Sequence, residues 1–117
     1  MTLMSTPRTV LVTGGNRGIG RSIAEEFVRQ GHRVAVTVRS GEGPEGTLSV
    51  KADVTDPASL ETAVEQIRDA SLQIDLLVNN AGLALGVDRA QASSAENWQR
   101  MIDTNITGLA MVTHKIL

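Results

Sequence analysis

Apolar residues along this chain follow two rhythms: short runs of β-branched residues, and longer stretches with spacings of three and four. Thr9–Thr13 (TVLVT) is a compact run of the first kind and predicts a strand. Gly14–Gly18 breaks it. From 19 to 30 the apolar residues Ile19, Ile23, Phe27 and Val28 recur at helical spacing, and Gly31 supplies a stop. Arg33–Val38 (RVAVTV) alternates and predicts a second strand. GEGPEG at 41–46 has the composition of a turn, and Leu48–Ala52 (LSVKA) predicts a third strand. Asp56 before Pro57 reads as an N-cap followed by proline at the first helical position. Leu60, Ala63, Val64 and Ile67 then fall on one helix face. Asp75–Asn79 (DLLVN) is apolar without alternation, the pattern of a strand buried on both faces.

Residues 81–92 read as a loop of small residues. Ser93 with Glu96 three positions on fits a capping box that opens a long helix. Trp98, Met101, Ile102, Ile106, Leu109, Val112 and Ile116 are expected on one broad face of it. Strands alternating with helices imply a parallel sheet with right-handed crossovers. The expected architecture is therefore α/β: a truncated doubly wound parallel sheet, half-Rossmann, with four strands in order 3-2-1-4 and three helices over 8–117. Residues 1–7 are expected to be a flexible N-terminus.

Composition narrows the chemistry. The 117 residues are one domain's worth, 41% hydrophobic and 21% charged, with a formal net charge of -2. That balance lacks the basic excess of a nucleic-acid or membrane-surface binder. With no cysteine, a thiol nucleophile, a disulfide and a cysteine-based metal site are all excluded. His32 and His114 are too far apart for metal-ligand spacing, so no metal is expected. Met1–Pro7 lacks the apolar core of a signal peptide, and a cytoplasmic location is the default expectation.

The candidate chemistry begins at TGGNRGIG, residues 13–20. A glycine-rich turn between a strand and a helix lets backbone approach a phosphate closely, and the helix start then points free N–H groups at it. The spacing here is Gly14, Gly18 and Gly20, which differs from the G-x-G-x-x-G dinucleotide fingerprint. The plainer alternative is a turn that only packs a helix on a strand. Where an acidic residue would bind the ribose hydroxyls of NAD, at the end of the second strand, the chain has Arg39. A guanidinium there suits a 2′-phosphate, and Arg17 inside the loop can approach the same group. Both arginines point to NADP; solvated surface arginines are the alternative.

With these come Asp53-Val54 after the third strand, NNAG at 79–82 on the fourth, and Asn105 in DTNITG on the long helix. The set, in this order, resembles the short-chain dehydrogenase/reductase family. The resemblance implies that Gly14, Asn16, Arg17, Gly18, Ile19 and Gly20 form the dinucleotide loop. It implies further that Asp53 and Val54 lie against the adenine, that Asn80, Ala81 and Gly82 pass near the ribose, and that Asn79 braces the sheet. Residues 8–70 look most like 3-oxoacyl-acyl-carrier-protein reductases. Residues 75–117 look more like 3-hydroxy acid and serine dehydrogenases, so a recombinant of two members, joined near 71–74, is a further possibility.

The family's reaction, by the same resemblance, moves a hydride between nicotinamide and a carbonyl carbon. It uses a tyrosine acid/base, a lysine four residues later, a serine, and an asparagine on the long helix. Only Asn105 matches; its plainer role is to accommodate a kink. The chain has no tyrosine at all. Lys51, Lys115, Ser93 and Ser94 stand at the wrong places to substitute. The expectation is a chain that holds NADP(H) but does not turn over. A folding module without physiological activity and a flavin-mononucleotide site are the competing readings. Self-association is expected through the fourth-strand edge or the long helix.

Overall fold

The computed structural model describes residues 6–70, 72–82 and 94–116. Residues 1–5 of the expected flexible segment 1–7, residues 83–92 of the loop expected at 81–92, and Ser93 lie outside the described residues. Four strands form the sheet: β1 (Thr9–Thr13), β2 (Arg33–Val38), β3 (Thr47–Lys51) and β4 (Leu76–Val78). Helix α1 (Gly18–Arg29) follows β1, and α2 (Pro57–Asp69) joins β3 to β4. A third helix runs through α3 (Ala95–Ile102), a π-helical segment (Asp103–Gly108) and α4 (Leu109–Ile116).

The strand order is β3-β2-β1-β4 and every pairing is parallel, as the alternation of strands and helices predicts. Successive side chains of β1 point to opposite faces, so its run buries apolar groups on both. On one face Val10 and Val12 join Val34, Val36 and Val38 of β2 and Ala24 of α1, flanked by Ile23 and Phe27. On the other, Leu11, Ala35 and Val50 pack with Leu60, Ala63 and Ile67 of α2 and with Val112 of α4. Helices thus cover both faces, and the strand ends carrying the glycine loop emerge between them.

Local signals hold well in the first two thirds of the chain. The Asp56 carboxylate accepts the Ala58 N–H at 3.0 Å, with Pro57 opening α2. Such a cap stabilises a helix by about 1 kcal/mol.

Three expectations change. Ser94, not Ser93, is the N-cap of α3: its side chain accepts from the Asn97 N–H at 3.1 Å. β4 is half-buried rather than buried, because among the described residues it ends the sheet and pairs with β1 alone. The long helix does not keep one broad apolar face. Val112 is buried, and Met111 and Ile116 pack partly on the core, but Trp98, Ile102, Ile106 and Leu109 are exposed. The π-helical turn between α3 and α4 is the reason. One extra residue per turn rotates everything before it by about 100° relative to the residues after it. The helix nevertheless packs closely at Gly108, where a Cβ would stand 2.8 Å from Val54 Cγ2.

Candidate dinucleotide cleft

The chain leaves β1 at Thr13 and turns sharply through Gly14, whose φ of 66° is left-handed and favours glycine. The turn is stapled to β2. The Gly14 N–H donates to Thr37 Oγ1 at 3.1 Å and the Gly15 N–H to the Thr37 carbonyl at 3.2 Å. Asn16 Nδ2 donates to the Ser40 carbonyl at 3.0 Å, which ties the tip of the loop to the end of the same strand. Gly18 opens α1 with a φ of 58°, preceded by Arg17 in extended backbone.

Among the described residues no side chain caps this helix start, and no acidic residue lies in its first turn. The first N–H groups of a helix have no intrahelical acceptor, and they carry the positive end of its dipole. Contrast α2, where Asp56 occupies that place. The start of α1 is therefore open to an anion, and the loop keeps backbone within reach of it.

The far wall comes from β4. A buried hydroxyl places it: Thr13 Oγ1 accepts the N–H groups of Asn80 at 3.0 Å and Ala81 at 2.9 Å. Asn80 Nδ2 then donates back to the Gly14 carbonyl at 3.1 Å. Gly20 stands directly behind this bond; a Cβ there would overlap both Asn80 Nδ2 and the Gly14 oxygen. Asn79 bridges outward, its Nδ2 donating to Thr113 Oγ1 of α4 at 3.0 Å.

These elements enclose a cleft of about 750 Å³ over the ends of the strands. Gly14, Asn16, Arg17 and Gly18 line it from the loop, and Arg39 and Ser40 from β2. Asp53, Val54 and Thr55 line it from the turn after β3, and Asn80, Ala81 and Gly82 from the turn after β4. The structure thus brings together ten of the predicted positions. Ile19 and Gly20 are not among them. Ile19 is 75% exposed on the outer side of α1, while Gly20 is buried behind the loop as a packing residue. Asn105 does not line the cleft; it is exposed and stands beside Gly82, where a Cβ would meet its Oδ1 at 3.3 Å. It lies within the π-helical segment.

Asp53 is held charged. Hydrogen bonds from the Thr55 hydroxyl (2.6 Å) and then the Thr55 N–H (2.9 Å) place its carboxyl below the ordinary carboxylate value, with Arg39 adding a smaller attraction. Its own N–H donates to Ser59 Oγ at 2.9 Å, so the turn is fixed at both ends. Lys115 is engaged elsewhere, donating to Glu61 Oε2 at 2.7 Å.

Sequence reasoning missed Thr13, Thr37 and a wall formed by Arg100, Asp103 and Thr104 of the third helix. A hydroxyl at the last or next-to-last position of each strand was the available signal for the two threonines. Nothing local marked Arg100.

The sequence profile of the short chain dehydrogenase family matches residues 8–117. The chain belongs to the short chain dehydrogenase family. Among its relatives, serine 3-dehydrogenase of Agrobacterium fabrum is 40% identical over 117 residues, covering 93% of this chain and 47% of the relative. The 3-oxoacyl-acyl-carrier-protein reductase MabA of Mycobacterium bovis is 38% identical over 108 residues, covering 92% and 43%. A serine dehydrogenase solved in a closed form with NADP+ superposes with a TM-score of 0.84 at 38% identity, covering 93% of this chain and 47% of that one. This short chain dehydrogenase sequence therefore spans about half the length of the relatives it matches, and both kinds of relative align across both halves of it.

Proposed function

We propose that this chain is the NADP(H)-binding portion of a short chain dehydrogenase of the 3-oxoacyl-acyl-carrier-protein reductase type. The observation that carries the proposal is the uncapped start of α1 facing a cleft that Arg17 and Arg39 also line. A pyrophosphate suits the N–H groups of the loop and helix start. A 2′-phosphate suits the fork of Arg39, with Arg17 beside it. Asp53 and Val54 are the surface for the adenine, and Asn80 to Gly82 for the ribose. The serine dehydrogenase bound to NADP+ supports the choice of cofactor.

When bound, the dinucleotide would supply the hydride. This chain's own residues bind and orient it. A proton donor tuned near the working pH is also required, and the 117 residues contain no tyrosine to serve as one. The chain alone therefore binds without turnover. Asn105 is proposed as the one matching member of the family's catalytic set. Among the described residues no helix is long and apolar enough to cross a membrane. We assign a cytoplasmic location, with self-association through the β4 edge or the long helix.

Titration with NADPH tests the reading, followed by energy transfer from Trp98 to the dihydronicotinamide and independently by calorimetry. Saturation below millimolar cofactor is the expected result. No saturable signal by either method overturns it and favours the alternative of an engineered or recombinant folding module. That alternative draws on the different resemblances of residues 8–70 and 75–117. A yellow protein as purified would favour a flavin mononucleotide instead.

A further inference from the structure

Arg100 enters the cleft from a wall that the dinucleotide motifs do not include. It lies on α3, with Asp103 and Thr104 three and four positions on, so the three share one helix face directed at the cleft. The helix is anchored to the turn after β3 at Gly108, packed on Val54. Eight residues earlier, on the far side of the π-helical segment, Arg100 stands further along the axis from that anchor. It is therefore displaced from the level of Val54, while Arg39 and Arg17 line the cleft from β2 and the glycine loop.

Charge singles it out further. The exposed arginines of α1 are satisfied: Arg21 pairs with Glu25 at 3.5 Å, and Arg29 pairs with Glu26. Among the described residues, Arg17, Arg39 and Arg100 form no ion pair within 4.0 Å. The two cleft carboxylates are occupied otherwise. Asp53 accepts from Thr55, and Asp103 accepts from Gln99 Nε2 at 2.7 Å. Among the described residues, three guanidinium groups without an ion pair within 4.0 Å thus face one cleft from separate elements, with only a longer-range attraction between Arg39 and Asp53.

We propose that Arg100 is a specificity-determining residue for the phosphate monoester at the adenosine end of the ligand, acting from α3 while Arg39 acts from the end of β2. The inference rests on the NADP(H) reading above and deepens it. A monoester phosphate is dianionic near neutral pH, and Arg39 and Arg17 meet it from β2 and the glycine loop. Arg100 adds a cation from α3, which strengthens the field on the dianion and closes the ligand between β2 and α3. The 2′-hydroxyl of NAD(H) offers neither charge nor acceptor geometry of that strength. The contribution of Arg100 therefore falls on one cofactor and not the other.

The test compares dissociation constants of NADPH, NADH and 2′-phosphoadenosine compounds for the unmutated chain, R100Q and R100K. Far-ultraviolet circular dichroism and a urea melt check the fold of each. R100Q is expected to weaken NADPH and 2′,5′-ADP by about five- to tenfold and to leave NADH within twofold. R100K is expected to recover part of the loss. Equal weakening of NADPH and NADH, or no change in either, overturns the proposal. If the unmutated chain binds neither cofactor, the NADP(H) reading falls, and this inference falls with it. If it binds NADPH and R100Q binds equally well, only the inference falls.

Discussion

Replacing Thr13 by valine isolates the hydroxyl that joins β1 to the cleft's far wall. Valine keeps the volume of threonine at a site 1% exposed, so no cavity accompanies the change. The substitution removes the acceptor for two N–H groups, at 3.0 Å from Asn80 and 2.9 Å from Ala81. The Asn80 N–H retains the Val78 carbonyl at 3.1 Å, and the Ala81 N–H has no second acceptor among the described residues. An unsatisfied, partly buried donor costs about 1–3 kcal/mol. Counting one full loss and one shared bond, T13V should destabilise the fold by about 2 kcal/mol. With a urea m-value of about 2 kcal/mol/M, the midpoint should fall by about 1 M. The turn from Asn80 to Gly82 also loses its anchor, so NADPH binding should weaken beyond what lowered stability explains. T13S supplies the control: it loses a buried methyl, about 1 kcal/mol, but keeps the acceptor and with it the binding. A T13V midpoint unchanged within 0.2 M, or T13S and T13V equally impaired in binding, would refute this account of the wall.

The remaining predictions probe the loop, the acid response and the exposed helix. Gly20→Ala forces a Cβ into Asn80 and the Gly14 carbonyl and should cost about 1–3 kcal/mol by overpacking, with loss of cofactor binding. Gly18→Ala meets nothing within 4 Å, and only its positive φ resists, at about 1–2 kcal/mol; equal binding loss in both variants would contradict the distinction. Asp53 has a folded-state carboxyl value below its ordinary 3.8, so its contribution is complete above that pH and lost as pH falls through the lower folded value. Urea melts from pH 5 downward should show a shallower loss of stability in D53N than in the unmutated chain. An identical acid limb at high salt would disprove the Thr55 contribution. Leu109→Glu, at a position 42% exposed on the outward apolar stripe, should shift any self-association toward monomer in light scattering. A concentration-independent monomer before mutation would remove the basis for that expectation.

The glycine loop was legible because every requirement it meets is local. A β-branched run, a left-handed turn and a helix start lie within a dozen residues, and Arg39 stands at the end of the next strand. Asp53 and Asn80 were reached through the order of motifs, and the sheet brings them to the same cleft because parallel strands end on one side. Ile19 shows the limit of reading by motif. It sits inside the glycine segment, yet the helix has already turned it outward by the time it appears.

By itself, the sequence determined the order of elements, the parallel sheet, the Asp56 cap and the open start of α1. Each follows from spacing, turn chemistry and the presence or absence of a capping side chain among near neighbours. Tertiary structure alone decided which serine caps α3, how far β4 is buried, and how the π-helical turn divides the apolar face of the last helix. It also decided the Thr13 fork, which joins residues 67 and 68 positions apart, and the arrival of Arg100 on the second wall of the cleft. Those features depend on where distant segments meet. A hydrogen bond or a charge acts over a few ångströms of space, whatever the distance along the chain.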